Sequence, residues 1–149
     1  METQSDPYNL QRFINAQEST FDAARAELEA GQKRSHWMWF IFPQIKGLGS
    51  SPTAQRFAIS SLEEGAAYLE HRVLGRRLEV CTALVNRVRG KSVDDIFGYP
   101  DNLKFHSSMT LFAEVADKFG FEATVFREAL AIHFAGQRDT ATMKQLDSR

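Results

Sequence analysis

Three stretches of this sequence bring together side chains able to do chemistry. The first, His36-Trp37-Met38-Trp39-Phe40-Ile41-Phe42-Pro43-Gln44, sets both tryptophans of the chain between a histidine and a glutamine. Imidazole titrates nearest neutrality, so His36 is the best general acid or base of the set. An indole face at Trp37 or Trp39 offers about 1 to 3 kcal/mol against a nucleobase or similar ring. A core reading stands beside this one: such an aromatic run also suits the interior, and a buried His36 would then need a partner, since leaving it unpaired costs about 1 to 3 kcal/mol.

The second stretch is Lys46-Gly47-Leu48-Gly49-Ser50-Ser51-Pro52-Thr53. Glycines let backbone N–H groups converge, and a helix starting at Pro52 would add a positive N-terminus, a combination suited to phosphate. The pattern is neither a Walker A loop nor a dinucleotide fingerprint, and an ordinary turn followed by a cap explains the same letters. The third stretch runs from Pro100 to Thr110. On a helix, Lys104 and Ser107 or Ser108 lie three or four positions apart and can hold an anion together. Serine activation would require a lysine of strongly lowered pKa, for which the sequence offers no support. The plainer account has Ser107 or Ser108 capping a helix beside a solvated Lys104.

Helices must position these stretches. Apolar residues recur at helical spacing nearly everywhere and strict alternation is absent, which predicts an all-α domain without substantial sheet. Asp6-Pro7 opens a helix with Leu10, Phe13, Ile14 and Gln17 on one face, and a second runs from Ser19 or Thr20 to Gly31. Ser35 to Pro43 is apolar on all sides after His36 and is assigned to a buried short helix capped by Ser35, in preference to a strand. Ser51-Pro52 starts a short helix through Ala58, and Ser61 with Glu64 starts another through Glu70. Leu74, Leu78, Cys81, Val85 and Val88 form one stripe over Val73 to Val88. Ser92 and Asp95 cap a turn ended by Gly98. Pro100 opens a helix to about Lys118, with His106 as the place for a break. Phe121 to Phe134, with Val125, Ala129, Leu130 and His133 inward, and Thr140 to Leu146 complete a bundle of about seven to nine short and medium helices.

At 149 residues, 43% hydrophobic and 25% charged, the chain suits one domain over 1–149 with its core at about 6–146. Eighteen Lys and Arg against 19 Asp and Glu give a net charge of −1, which argues against a nucleic-acid or anionic-membrane partner. The basic positions Arg72, Arg76, Arg77, Arg87, Arg89 and Lys91 are read as a solvated face. The longest apolar run, Trp37 to Phe42, is far short of a membrane span, and the opening residues lack a signal-peptide layout, so a cytoplasmic protein is expected. One cysteine, Cys81, on the apolar stripe, reads as an inert small hydrophobe, and no spacing suggests a metal site.

Phe13, Ala16-Gln17, Gly31, Ser35-His36-Trp37-Met38-Trp39, Phe42-Pro43-Gln44, Gly47-Leu48-Gly49, Phe97-Gly98, Asp101, Lys104 and Ser107-Ser108-Met109-Thr110-Leu111-Phe112 together carry a resemblance. The chain resembles the bacterial domain of unknown function 1810 from about Asp6 to Leu146. The resemblance implies a compact all-helical domain and brings no activity, cofactor or catalytic residue with it. Automatic transfer attaches the word calpastatin to such sequences. An inhibitor of that kind is an extended disordered chain, whereas the stripes here describe a packed core.

The expectation is therefore that the three stretches converge on one pocket. His36 and Lys104 would be its catalytic groups, and Trp37, Trp39, Gln44, Lys46, Gly47, Gly49, Ser50, Ser107 and Ser108 its ligand contacts. The guest would be a phosphorylated or nucleotide-like small molecule, bound and, if chemistry occurs there, hydrolysed or transferred. The alternative is a non-catalytic protein-interaction module whose polar cluster only braces the core.

Overall fold

The computed structural model describes residues 5–122 and 124–149, and among them the only extended structure is one isolated bridge. The helices are α1 (Gln11–Glu18), α2 (Phe21–Glu29), α3 (Met38–Ile41), α4 (Pro52–Arg56), α5 (Leu62–Glu70), α6 (Arg72–Arg87), α7 (Val93–Phe97), α8 (Asp101–Phe119), α9 (Thr124–Phe134) and α10 (Thr140–Asp147). Seven of these have at least eight residues, and α3, α4 and α7 are single turns.

Side-chain oxygens take up orphan N–H groups where five of these ten helices begin. The Asp6 carboxylate accepts from the N–H groups of Leu10 at 2.8 Å and Gln11 at 3.0 Å. Ser51 caps α4, Ser61 caps α5, and Ser92 with Asp95 forms a complete capping box on α7. At α5 the box is displaced by one residue, because the Glu64 carboxylate reaches the N–H and hydroxyl of Ser60. An unforeseen cap begins α6: the His71 ring Nδ1 accepts from Val73 and Leu74.

Three expectations need correction. The Ser35–Pro43 helix shrinks to the single turn Met38–Ile41, because Ser35 spends its hydroxyl on Glu27 instead of capping. The Pro100 helix does not break near His106. No glycine or proline interrupts α8, and the hydroxyls of Ser107 and Thr110 bond back to carbonyls one turn earlier. Ser107 and Ser108 are accordingly mid-helix and buried, and cap nothing. The helix placed at Phe121 starts at Thr124; the Phe121 N–H closes the end of α8 on the Ala116 carbonyl, and Ala123 lies outside the described residues.

α8 is the central element, packed against α5, α7, α9 and α10, while α6 lies against α2, α5 and α9. Gly65 permits the α5–α8 approach, since a Cβ there would sit 2.6 Å from a Val115 methyl. Phe42 sets its edge on both Phe97 and Phe105, tying the Trp37–Pro43 segment to α7 and α8. Burial of each such ring contributes about 1.5 to 3 kcal/mol. Ile45 and Ile59 form the one parallel bridge, with Lys46 N–H to Ile59 O and Ile59 N–H to Gln44 O, both 2.8 Å.

Candidate functional site

The first and third stretches meet where Lys104 lies over Trp39, and beside that contact is a carboxylate. Lys33 Nζ lies 2.8 Å from Asp101 at the start of α8, and Lys104 Nζ lies 3.3 Å from the same side chain. Each ammonium also covers an indole: Lys33 sits 5.2 Å from the Trp37 ring centre, and Lys104 sits 4.9 Å from that of Trp39. Behind them Glu27 acts as a hub. It accepts from Arg34 N at 2.6 Å, Ser35 N at 2.9 Å, the Ser35 hydroxyl at 2.5 Å and the Trp37 indole N–H at 3.0 Å. Burial alone would raise the Glu27 pKa; these hydrogen bonds outweigh it and hold the carboxyl down at about 2. Trp37 is fully buried, and Trp39 is half-buried beneath Lys104. His36 is exposed, so it has no need of the buried partner that a core position would demand.

The glycine stretch is held by its neighbours. Gly47 has φ of +105°, and a Cβ there would lie 2.5 Å from the Gln145 side-chain oxygen on α10; one at Gly49 would lie 2.5 Å from the Ala54 Cβ. The Lys46 carbonyl accepts from Arg149 at 2.6 Å, and the Ser50 carbonyl from Gln55 at 2.7 Å, while the Lys46, Gly49 and Ser50 side faces remain exposed. The helix that follows, α4, is one turn long, too short for an appreciable dipole. Gln44 is half-buried. The Ser107 hydroxyl lies 3.1 Å from both the Leu103 carbonyl and Asp139, the residue that caps α10, whereas Ser108 is wholly buried with its hydroxyl unpaired among the described residues. Trp37, Trp39 and Lys104 thus come together around Asp101, while Gly47 faces α10 and Ser107 braces the α8–α10 junction.

A cavity of about 590 Å³ opens elsewhere. Its walls are the Val88–Ser92 loop after α6, Val93 and Asp94 of α7, Asn102, Leu103 and His106 on the first turns of α8, and Ile132, His133 and Phe134 at the end of α9. Arg89 and Lys91 donate only to main-chain carbonyls, those of Asn86 at 3.0 Å and Gly31 at 3.2 Å, and neither has a carboxylate partner among the described residues. The one carboxylate in the wall, Asp94, accepts from Asn102 Nδ2 at 2.6 Å. Asn102 Oδ1 and His133 Nε2 are buried without partners among the described residues, a state rare enough in folded proteins to call for an explanation. Both belong to residues that line the cavity.

The two imidazoles of this cavity differ. His106 Nε2 donates to the Gln137 carbonyl, which can only accept, at 2.7 Å. Its ring stacks on Phe134 at 3.9 Å and 6°. His133 is half-buried, and burial lowers its pKa, keeping it uncharged at neutral pH. Sequence reasoning placed His133 inward and Arg89 and Lys91 on a solvated face, but nothing in the letters announces that three chain segments so far apart meet. Among the described residues no group of three or more His, Cys, Asp or Glu is placed to hold a metal ion. Burial pushes the Cys81 thiol up to about 12, which leaves it without nucleophilic character.

An all-helical domain with a cavity between the loop after α6 and helices α7, α8 and α9 is the class this architecture defines. The chain belongs to the family described as protein of unknown function (DUF1810), whose model matches residues 7–146. It is similar to the conserved hypothetical protein Rv1873 from Mycobacterium tuberculosis, known from a crystal structure: the two are 51% identical with a TM-score of 0.91, over 95% of this chain and 99% of that one. No curated protein matches the chain. No helix among the described residues is long and apolar enough to cross a membrane.

Proposed function

We propose that this protein binds a small phosphorylated molecule in the cavity between the Val88–Ser92 loop and helices α7, α8 and α9. The observation that carries the reading is the pair Arg89 and Lys91, two cations in the wall of a cavity whose single carboxylate is already engaged. A phosphate there would gain charge-assisted hydrogen bonds from both, and a cavity of about 590 Å³ lies in the small-molecule range. Proton transfer at this site would belong to His133, uncharged at neutral pH, and to His106, oriented by the Gln137 carbonyl.

The grouping around His36 has less support. Its Lys104 is already neutralised by Asp101, its Trp37 has no exposed face, and its glycine loop is packed on α10. The rival class is a protein-docking surface, favoured by the exposed Tyr99, Leu103 and Ile132. A thermal-shift panel of inorganic phosphate, sugar phosphates and nucleotides separates the three. Ligand at a hundred times its Kd adds about 2.7 kcal/mol, roughly 5 to 10 °C in Tm for a chain of this size. A shift abolished by Arg89→Ala with Lys91→Ala supports the cavity. One abolished by Lys104→Ala instead returns the site to the His36 grouping, and no shift across the panel leaves the docking surface.

A further inference from the structure

The cavity wall is chemically two-sided, and this inference rests on its being an anion site. Its cations, Arg89 and Lys91, come from the loop after α6, while the facing helices contribute Leu103 and Ile132. These two are among the few large aliphatic side chains the fold leaves open, Leu103 at 51% and Ile132 at 54% exposure. Scattered exposed leucines need no explanation, but two converging on one cavity beside uncompensated cations do. Tyr99, the most open of the exposed large hydrophobics at 82%, lies four residues before Leu103 in the turn that leads into α8.

We infer that the ligand is amphiphilic: a phosphate or carboxylate head held by Arg89 and Lys91, joined to an apolar body that covers Leu103 and Ile132. A sugar phosphate or a bare inorganic anion would satisfy the cations and leave both aliphatic side chains wet. An aryl or alkyl phosphate satisfies both sides at once, because its head exchanges water for charged donors while its body removes apolar surface from water.

Titration calorimetry with inorganic phosphate, glycerol phosphate, phenyl phosphate and hexyl phosphate tests this directly. Phenyl or hexyl phosphate is expected to bind at least tenfold more tightly than the two hydrophilic probes. The protein carrying Leu103→Ser with Ile132→Ser, both exposed positions that the core does not need, should lose that preference while keeping its affinity for inorganic phosphate. Equal binding of all four probes by the parent protein, or a preference that survives the serine changes, overturns the amphiphilic ligand and leaves the anion site standing. Failure of all four to bind overturns the anion site itself. A preference for the phenyl over the hexyl probe would narrow the body to a ring, and the reverse to a chain.

Discussion

The two polar clusters of this molecule both combine cations with carboxylates, to opposite ends. Around Glu27 and Asp101, lysines, serine, indoles and carboxylates answer one another: Glu27 takes four hydrogen bonds and Asp101 takes two ammonium groups. In the cavity lined by α7, α8 and α9, two cations have no carboxylate partner, the one carboxylate is held by Asn102, and Asn102 and His133 keep unpaired atoms among the described residues. The first cluster has settled its electrostatics within the chain and holds segments together. The second has not, and that difference is what supports the proposed anion site. Identity of side chain therefore says little about role; the state of its partners says much.

The largest expected effect breaks the first cluster. Glu27→Ala strands the indole N–H of buried Trp37 and the N–H groups of Arg34 and Ser35, and should cost about 3 kcal/mol in urea unfolding at unchanged denaturant slope. Arg89→Ala in the cavity should stay within about 0.5 kcal/mol of the parent. Equal losses at the two positions would erase the distinction between a brace and a binding wall.

Acidification separates the same regions by pH window. Burial lowers the folded-state pKa of His133 below its ordinary 6.5, so the unfolded chain binds the proton first and stability falls as the pH drops below 6.5. Glu27, held at about 2 against an ordinary 4.5, contributes fully above 4.5 and loses that contribution as the pH falls toward 2. Subtracting the stability profile of His133→Gln from that of the parent should isolate the upper window, and subtracting that of Glu27→Gln the lower one. A parent and His133→Gln protein with parallel profiles between pH 7 and 5 would show that the imidazole feels no burial penalty.

Much of the fold was legible because it is local. The Leu74, Leu78, Cys81, Val85 stripe marks α6 by its spacing alone, and Ser92 with Asp95 marks α7 by a cap that closes within four residues. The length of α3 was not legible, since whether Ser35 caps or pairs depends on Glu27, a residue of the preceding helix. The site was harder still. His36 stands in the most conspicuous stretch and proves exposed, while His133 and His106 stand in unremarkable ones and share a cavity with a loop more than ten residues before the nearer of them. Conspicuous letters recorded the Glu27 brace, and the cavity is a product of tertiary packing that no single stretch encodes.

The finest distinction lies in two adjacent serines on α8, and they sharpen the comparison most cleanly because chemistry and helix are held constant. Ser107 reaches Asp139, which also accepts from the N–H and hydroxyl of Thr142 as it caps α10. Ser107→Ala removes one bond from a satisfied junction and should cost about 1 kcal/mol. Ser108 is equally buried, but its hydroxyl has no partner among the described residues. Ser108→Ala takes away a polar atom already stripped of water without breaking a bond, leaving a void of only one oxygen, and alanine is the better helix former. The two effects should differ in sign: a loss at Ser107, and a stability equal to or up to about 1 kcal/mol above the parent at Ser108. A loss at Ser108 as large as at Ser107 would mean that its hydroxyl holds a buried water, and would move it from an idle core atom into the polar framework of α8.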